Sequence, residues 1–289
     1  MTRAIMMRQN ARVLRMVAIL CCLAAVAPAA YANCSRGLIG PGKSGRLWVD
    51  DQGSGPATVV FESGNGNDSA VWDAITPRVR KFGVRTFAYD RAGLGQSDPA
   101  PATYTVEAEL ARFQRLLRLC RVSGPIILVA HSYGGLLGLM TAKNDKRLKA
   151  MVMVDAMVPG AMSAQVIEQS VAKLRPDYAA FRKEDPKRAG ALIPLMEAMQ
   201  ATRRKFEVTA VSPDMPFIDI IADRSTFKGS DPRSDAEWIK AHSNFVANNP
   251  NREAVFAAGS GHKVMLDKPD LVVDAIRRML AKLGYAAAR

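Results

Sequence analysis

The sequence predicts an α/β fold, a mostly parallel central sheet flanked by helices, with a helical lid inserted between two of the sheet strands. Two observations carry that expectation. Short apolar runs alternate with amphipathic helical patterns, as in repeated βα units. Across 156–215 that alternation stops, and it resumes with an apolar run at Pro216. With 289 residues, 48% of them hydrophobic and 23% charged, the chain can bury one substantial core and still carry an insertion.

Residues 1–32 stand apart from the fold. Arg3, Arg8, Arg12 and Arg15 precede the apolar run MVAILCCLAAVA and then PAAYAN. A basic start, a short apolar middle and small residues at Ala30 and Ala32 form the layout of a secretory signal, with cleavage expected after Ala32. The apolar run is ended by Pro28 and is short of the roughly 20 residues a membrane span needs. The expectation is a secreted or periplasmic protein with no stable membrane span once the signal is removed.

The remaining elements follow in order. ATVVFES (57–63) reads as a strand leading into the loop GNGNDSAVW, and VRTFAYD (84–90) as a strand leading into RAGLGQSDPAPA. A helix from about Val106 to Cys120 precedes PIILVA (125–130), the most continuous buried strand. YGGLLGLMTAK reads as helix and LKAMVMVDA (148–156) as strand. Residues 156–215 are helical, rich in Met and Leu and punctuated by proline. PFIDIIA (216–222) and REAVFAA (252–258) are strands, and PDLVVDAIRRMLAKLG (269–284) closes the chain as an amphipathic helix. The core therefore comprises 33–155 and 216–289, with the lid at 156–215.

Charge and cysteine bound the function. The formal net charge of +13 falls to +9 without the signal, whose four arginines come with no acids. The basic residues are dispersed, and nothing interleaves them with aromatics, so nucleic acid is not an expected partner. Cys34 and Cys120 survive export as a lone pair, which an oxidising compartment invites to bond; two buried thiols are the alternative. No spacing of Cys and His suggests a metal site. The sequence does not specify an oligomeric state.

The chemistry gathers at LVAHSYGGLLG (128–138). Ser132 sits where a buried strand turns into a helix, flanked at two residues either side by Ala130 and Gly134. A sharp turn projects the hydroxyl, and small neighbours relieve the crowding such a turn creates, the physical content of G-x-S-x-G. A serine nucleophile needs a base. His131 is adjacent in sequence and faces away, and His242 lies in a helical stretch. His262, in GSGHKVMLDKPD after the last strand, is the candidate base.

Taken in order, VVFESGNGNDSAVW, AYDRAGLGQSD, LVAHSYGGLLG, MVMVDA and GSGHKVMLDKPDLVVDAI resemble the α/β-hydrolase fold, in its lid-bearing branch of esterase- and lipase-like serine enzymes. The resemblance implies an oxyanion hole from the backbone N–H groups of Tyr133 and Asn65, although Ser63-Gly64 replaces the usual His-Gly. It implies a triad acid in one of two places. After PFIDIIA, where Gly-x-x-Asp is customary, stand Ala222, Asp223, Arg224 and Ser225, so the expected carboxylate is missing at its slot, with Asp223, Asp231 and Asp235 as nearby substitutes; after the preceding strand stands Asp155. Asp155 is taken as the acid and Asp223 as the alternate. Asp90 and Arg91 are expected to hydrogen-bond their loop.

The function implied is hydrolysis of a small-molecule ester or similar acyl compound through an acyl-enzyme, with no cofactor. Lactone, amide or carbon–carbon bond hydrolysis are alternatives on the same fold, as is a non-catalytic binding protein. Dehalogenases and epoxide hydrolases of the fold use an aspartate nucleophile, which Ser132 does not offer.

Overall fold

The computed structural model describes residues 34–40, 42–43, 45–224 and 232–285; the signal segment read at 1–32 lies outside them. The described strands are β1 (Arg36–Ile39), β2 (Leu47–Gln52), β3 (Thr58–Glu62), β4 (Arg85–Tyr89), β5 (Ile126–His131), β6 (Leu148–Val154), β7 (Phe217–Ala222) and β8 (Arg252–Ala257). They form one sheet in the order β1-β2-β4-β3-β5-β6-β7-β8. β2 pairs antiparallel with both β1 and β4, and every other pairing is parallel.

Helices cover both faces, and the side-chain alternation of the strands divides the core accordingly. Ile126, Leu128 and Ala130 of β5 join α2 (Val106–Leu119) and α3 (Tyr133–Ala142) on one face. Ile127 and Val129 join α1 (Thr76–Arg80) and the closing helix Pro269–Lys282 on the other. Strands buried on both sides have no polar face to show, which is why they read as unbroken apolar runs.

β1 and β2 have no counterpart in the sequence reading. RGLI, the edge strand, alternates exposed with half-buried positions, and LWVDDQ, paired on both sides, alternates buried with half-buried ones. No continuous apolar run marks them. The strand expected at 148–156 is also shorter than predicted: β6 stops at Val154, and Asp155 adopts a left-handed conformation (φ 41°) that ends the strand.

Between β6 and β7 the chain builds α4 (Ala164–Leu174), α5 (Tyr178–Glu184), α6 (Pro186–Glu197) and α7 (Met199–Glu207). Ser163 caps α4 by accepting from Val166 N–H, and Asp185 caps α6 by accepting from Arg188 N–H, with Pro186 at the first helical position. After β7 come α8 (Pro232–Val246), α9 (Val264–Asp267) and α10 (Pro269–Lys282).

Cys34 and Cys120 are disulfide-bonded and 86 positions apart. The bridge ties the start of the described chain to the cap of α2, above a buried ion pair. Arg85 donates to both oxygens of Asp51 at 2.7 and 2.6 Å and to the Cys120 carbonyl at 2.7 Å, while Asp51 accepts from Cys34 N–H at 2.8 Å. Closing so long a loop restricts the unfolded chain. The double variant Cys34→Ser/Cys120→Ser should lose about 2–5 kcal/mol of unfolding free energy in urea titrations. Identical midpoints for wild type and variant would show that the bridge stabilises nothing.

Candidate active site

Ser132 occupies a backbone conformation that L-residues rarely adopt, φ 51° and ψ −124°. The turn is held because α3 packs hard against the strand ends. A Cβ added at Gly134 would lie 2.6 Å from the Glu62 carbonyl and 2.9 Å from that of Ser63. Only glycine lets the helix start this close to β3. Gly64 is similarly confined, with the His131 ring 2.5 Å and the Ser132 Cβ 3.0 Å from where its own Cβ would stand.

Parallel register then assembles the site. Glu62 of β3 pairs with Ala130 of β5, which places the loop after β3 beside the serine turn. His131 pairs with Val154 of β6, so the next residues on each strand, Ser132 and Asp155, leave the sheet side by side. These points lie where the chain, having run from β3 outward to β4, returns to β5 on the opposite side. That is the topological switch at which open α/β sheets bind ligands.

His262 arrives from the loop after β8. Its Nε2 is 2.9 Å from Ser132 Oγ and its Nδ1 is 2.6 Å from Asp155 Oδ2. Beside an ionised carboxylate the imidazole keeps its proton on Nδ1, which leaves Nε2 as the acceptor for the serine hydroxyl. Serine, imidazole and carboxylate form one continuous hydrogen-bonded chain.

Asp155 is fully buried. Burial pushes its carboxyl upward, but the hydrogen bond from His262 and the charge of Arg224 outweigh that and hold it below the ordinary aspartate range. Arg224 donates to both oxygens at 2.9 and 2.8 Å, Trp238 Nε1–H to Oδ1 at 2.9 Å, and Ala222 N–H to Oδ1 at 3.2 Å. Arg224 also lies over the Trp238 ring, 4.7 Å from its centroid. Asp223, the alternate acid, accepts from Gly259 N–H at 2.9 Å and so fastens the turn after β8. Asp235 lies in the first turn of α8, and Asp231 is outside the described residues.

Neither Arg224 nor Trp238 was anticipated as a partner of the acid. Arg224 had a signal: a cation next to the position where a carboxylate is customary complements an acid on the neighbouring strand. Trp238 had none, since its helix is read only as amphipathic.

The two other histidines are both buried. His131 Nε2 lies 3.0 Å from the His262 carbonyl and so anchors that loop. Burial, helped by the nearby His262, pushes the His131 imidazole down to about 3, so it stays neutral. His242 Nδ1 is 2.7 Å from Asp219 Oδ2, and neither side chain is exposed.

The loop after β3 is fixed from below. Arg91 donates to Glu62 Oε1 at 2.6 Å and to the carbonyls of Ser63 and Gly64 at 2.5 and 2.6 Å, while Tyr89 O–H donates to Glu62 Oε2 at 2.5 Å. Asp90 holds the adjoining turn through Ser69 N–H and Gln96 N–H, both at 2.8 Å. This brings Asn65 and Tyr133 to the wall of the cavity that contains Ser132. Tyr133 N–H, at the first turn of α3, has no intrahelical partner. The cavity measures about 310 Å³, and Met157, Met162, Ile167, Met196 and Met199 supply much of its surface.

A family model described as the alpha/beta hydrolase family matches residues 59–275. The uncharacterized protein YqjL of Bacillus subtilis (strain 168) is 26% identical over 234 residues, covering 78% of this chain and 84% of that protein. Among solved structures, the haloalkane dehalogenase DatA of Agrobacterium tumefaciens C58 superposes with a TM-score of 0.63 at 20% identity, covering 82% of this chain and 93% of that one. A carboxylesterase of the thaumarchaeon Nitrososphaera gargenis gives 0.60 at 16% identity, covering 84% and 97%. At those identities the structures share the fold.

Two measurements test this geometry. Gly134→Ala should cost about 1–3 kcal/mol in urea denaturation, because backbone oxygens rather than a flexible side chain meet the new methyl; wild-type stability would show that α3 has room to shift. His131 is neutral when folded and ordinary when unfolded, so below about pH 6.5 the unfolded chain binds the extra proton and stability falls with pH. Replacing it by His131→Gln should flatten the dependence of unfolding free energy between pH 6 and 4, by up to about 1.4 kcal/mol per unit. Parallel wild-type and variant curves would contradict the burial argument.

Proposed function

The chain belongs to the α/β-hydrolase family, and on that premise we propose that it is an exported serine hydrolase cleaving a carboxylic ester through an acyl-enzyme. The single observation that carries this reading is the hydrogen-bonded chain from Ser132 Oγ through His262 to Asp155, at 2.9 and 2.6 Å. His262 Nε2 takes the hydroxyl proton as Ser132 Oγ bonds to the substrate carbonyl carbon. The carbonyl oxygen gains the negative charge and accepts from the N–H groups of Asn65 and Tyr133. The imidazolium, held by Asp155, returns the proton to the leaving alkoxide as the ester bond breaks. Water repeats the sequence on the acyl-serine, with His262 again as base, and releases the acid.

The helical insertion acts as the lid. Its thioether- and aliphatic-rich wall supports an apolar acyl or aryl group, because such side chains adapt to irregular shapes without demanding polar partners. Serine at the turn argues against the dehalogenation performed by the Agrobacterium relative. The signal-like segment 1–32 and the Cys34–Cys120 bridge together support an oxidising, extracytoplasmic setting.

The purified chain should react with a fluorophosphonate probe and turn over p-nitrophenyl esters. Ser132→Ala should abolish labelling and lower kcat by about 10³-fold or more, and Asp155→Asn by about 10⁴-fold, with circular dichroism unchanged. Asp223→Asn should keep wild-type kcat. A folded protein that neither labels nor hydrolyses any ester would be a binding protein, and activity surviving in Asp155→Asn but lost in Asp223→Asn would reassign the acid.

A further inference from the structure

A second cavity, of about 290 Å³, lies under the insertion and plays no part in the chemistry above. Leu174, Asp177, Tyr178, Phe181, Leu192 and Ile193 line it, from the end of α4 to α6. Asn65 and Met196 line both this cavity and the one that holds Ser132. Those two side chains are the partition between them, and they touch: Asn65 Nδ2 donates to Met196 Sδ at 3.5 Å.

Three features of this partition point to a ligand that crosses it. A thioether is a weak acceptor on a flexible stem, so the contact is easily exchanged for another. Asn65 Oδ1 is buried and has no hydrogen-bond partner among the described residues, an arrangement that folding alone disfavours. Ordinary small-molecule sites span roughly 300–1,000 Å³. At about 310 and 290 Å³ the cavities lie at and just below the bottom of that range, whereas the pair falls well inside it.

We infer that the two cavities together bind one two-armed ester, whose carbonyl sits at Ser132 and whose second apolar arm crosses Asn65 into the cavity between Tyr178 and Phe181. The arm carries an N–H close to the reacting carbonyl, which Asn65 Oδ1 accepts. The substrate class is therefore an N-acyl amino ester, with an alkyl or aryl acyl group in the far cavity and the leaving group among Met157, Ile167 and Met199. This assignment rests on the serine-hydrolase reading and adds to it where the substrate's length and its donor are recognised.

The test compares three p-nitrophenyl esters: the acetate, the N-octanoylglycine ester, and its isostere in which an ester oxygen replaces the N–H. The N–H compound should exceed the oxygen isostere in kcat/KM by about tenfold or more, because the isostere leaves the asparagine oxygen unmatched. In Asn65→Leu that ratio should fall to near one. Leu192→Trp, which fills the far cavity, should lower kcat/KM for the octanoylglycine ester about tenfold or more while leaving the acetate within about twofold. Phe181→Ala serves as a second variant, expected to raise KM for the long ester alone. Unchanged long-ester kinetics in folded Leu192→Trp and Phe181→Ala, or equal rates for the N–H and oxygen compounds in wild type, would overturn the assignment with the esterase intact. Absence of turnover for all three esters would instead overturn the hydrolase reading beneath it.

Discussion

The parallel register of β3, β5 and β6 is the constraint on which the site depends. Pairing Glu62 with Ala130 and His131 with Val154 ends three strands at one level, so the turns that follow emerge together. A slip of one residue in either ladder would send every side chain beyond it to the opposite face. Ser132 and Asp155 both leave their strands with positive φ, 51° and 41°. Such conformations cost of order 1–3 kcal/mol each and persist only where packing over-determines them. The glycine-rich start of α3, wedged between β3 and the turn after β6, supplies that packing.

Burying Asp155 is the second large cost, since an unpaired carboxylate in an apolar interior is prohibitive. The fold meets it with donors from three separate segments: the loop after β8, the end of β7 and α8. One Arg224 nitrogen, Nη2, reaches both carboxylate oxygens, and such charge-assisted bonds are stronger than neutral ones. Trp238 seals one side while donating its indole N–H, so one residue provides both the dry wall and a hydrogen bond. The resulting carboxylate is rigid and ionised, which is what an imidazole needs to keep one tautomer and one orientation.

A parallel device supports the loop after β3. Arg91, itself buried between Glu62 and the backbone, satisfies two consecutive carbonyls, and so fixes the peptide planes leading into Asn65. His131 does the same for the opposite loop through the His262 carbonyl. Both residues act on the site through main chain rather than by touching what binds there. The polar elements flanking the serine turn are therefore frame, and the insertion from α4 to α7 supplies the apolar surface above it.

Much of this was legible in the chain. Apolar runs announced six strands along the chain, five of them buried on both faces and the last, β8, largely exposed. The small residues around Ser132 announced a tight turn, and His262 after the last strand stood where a base belongs. These are local patterns, set by side-chain period, turn sterics and neighbours in sequence. β1 and β2 escaped because their short alternating patterns contain no continuous apolar run. The rivalry between Asp155 and Asp223 stayed open because both follow adjacent strands; only the depth of the left-handed turn after β6 and the placement of Arg224 decide which one faces His262. The count of two cysteines outside the signal offered the Cys34–Cys120 bond, and the fold shows that it forms. The bonds of Arg91 to Glu62, of Trp238 to Asp155 and of Asn65 to Met196 likewise join residues far apart in the chain. Such contacts are settled by how strands register and helices pack, and no short window of sequence contains that information.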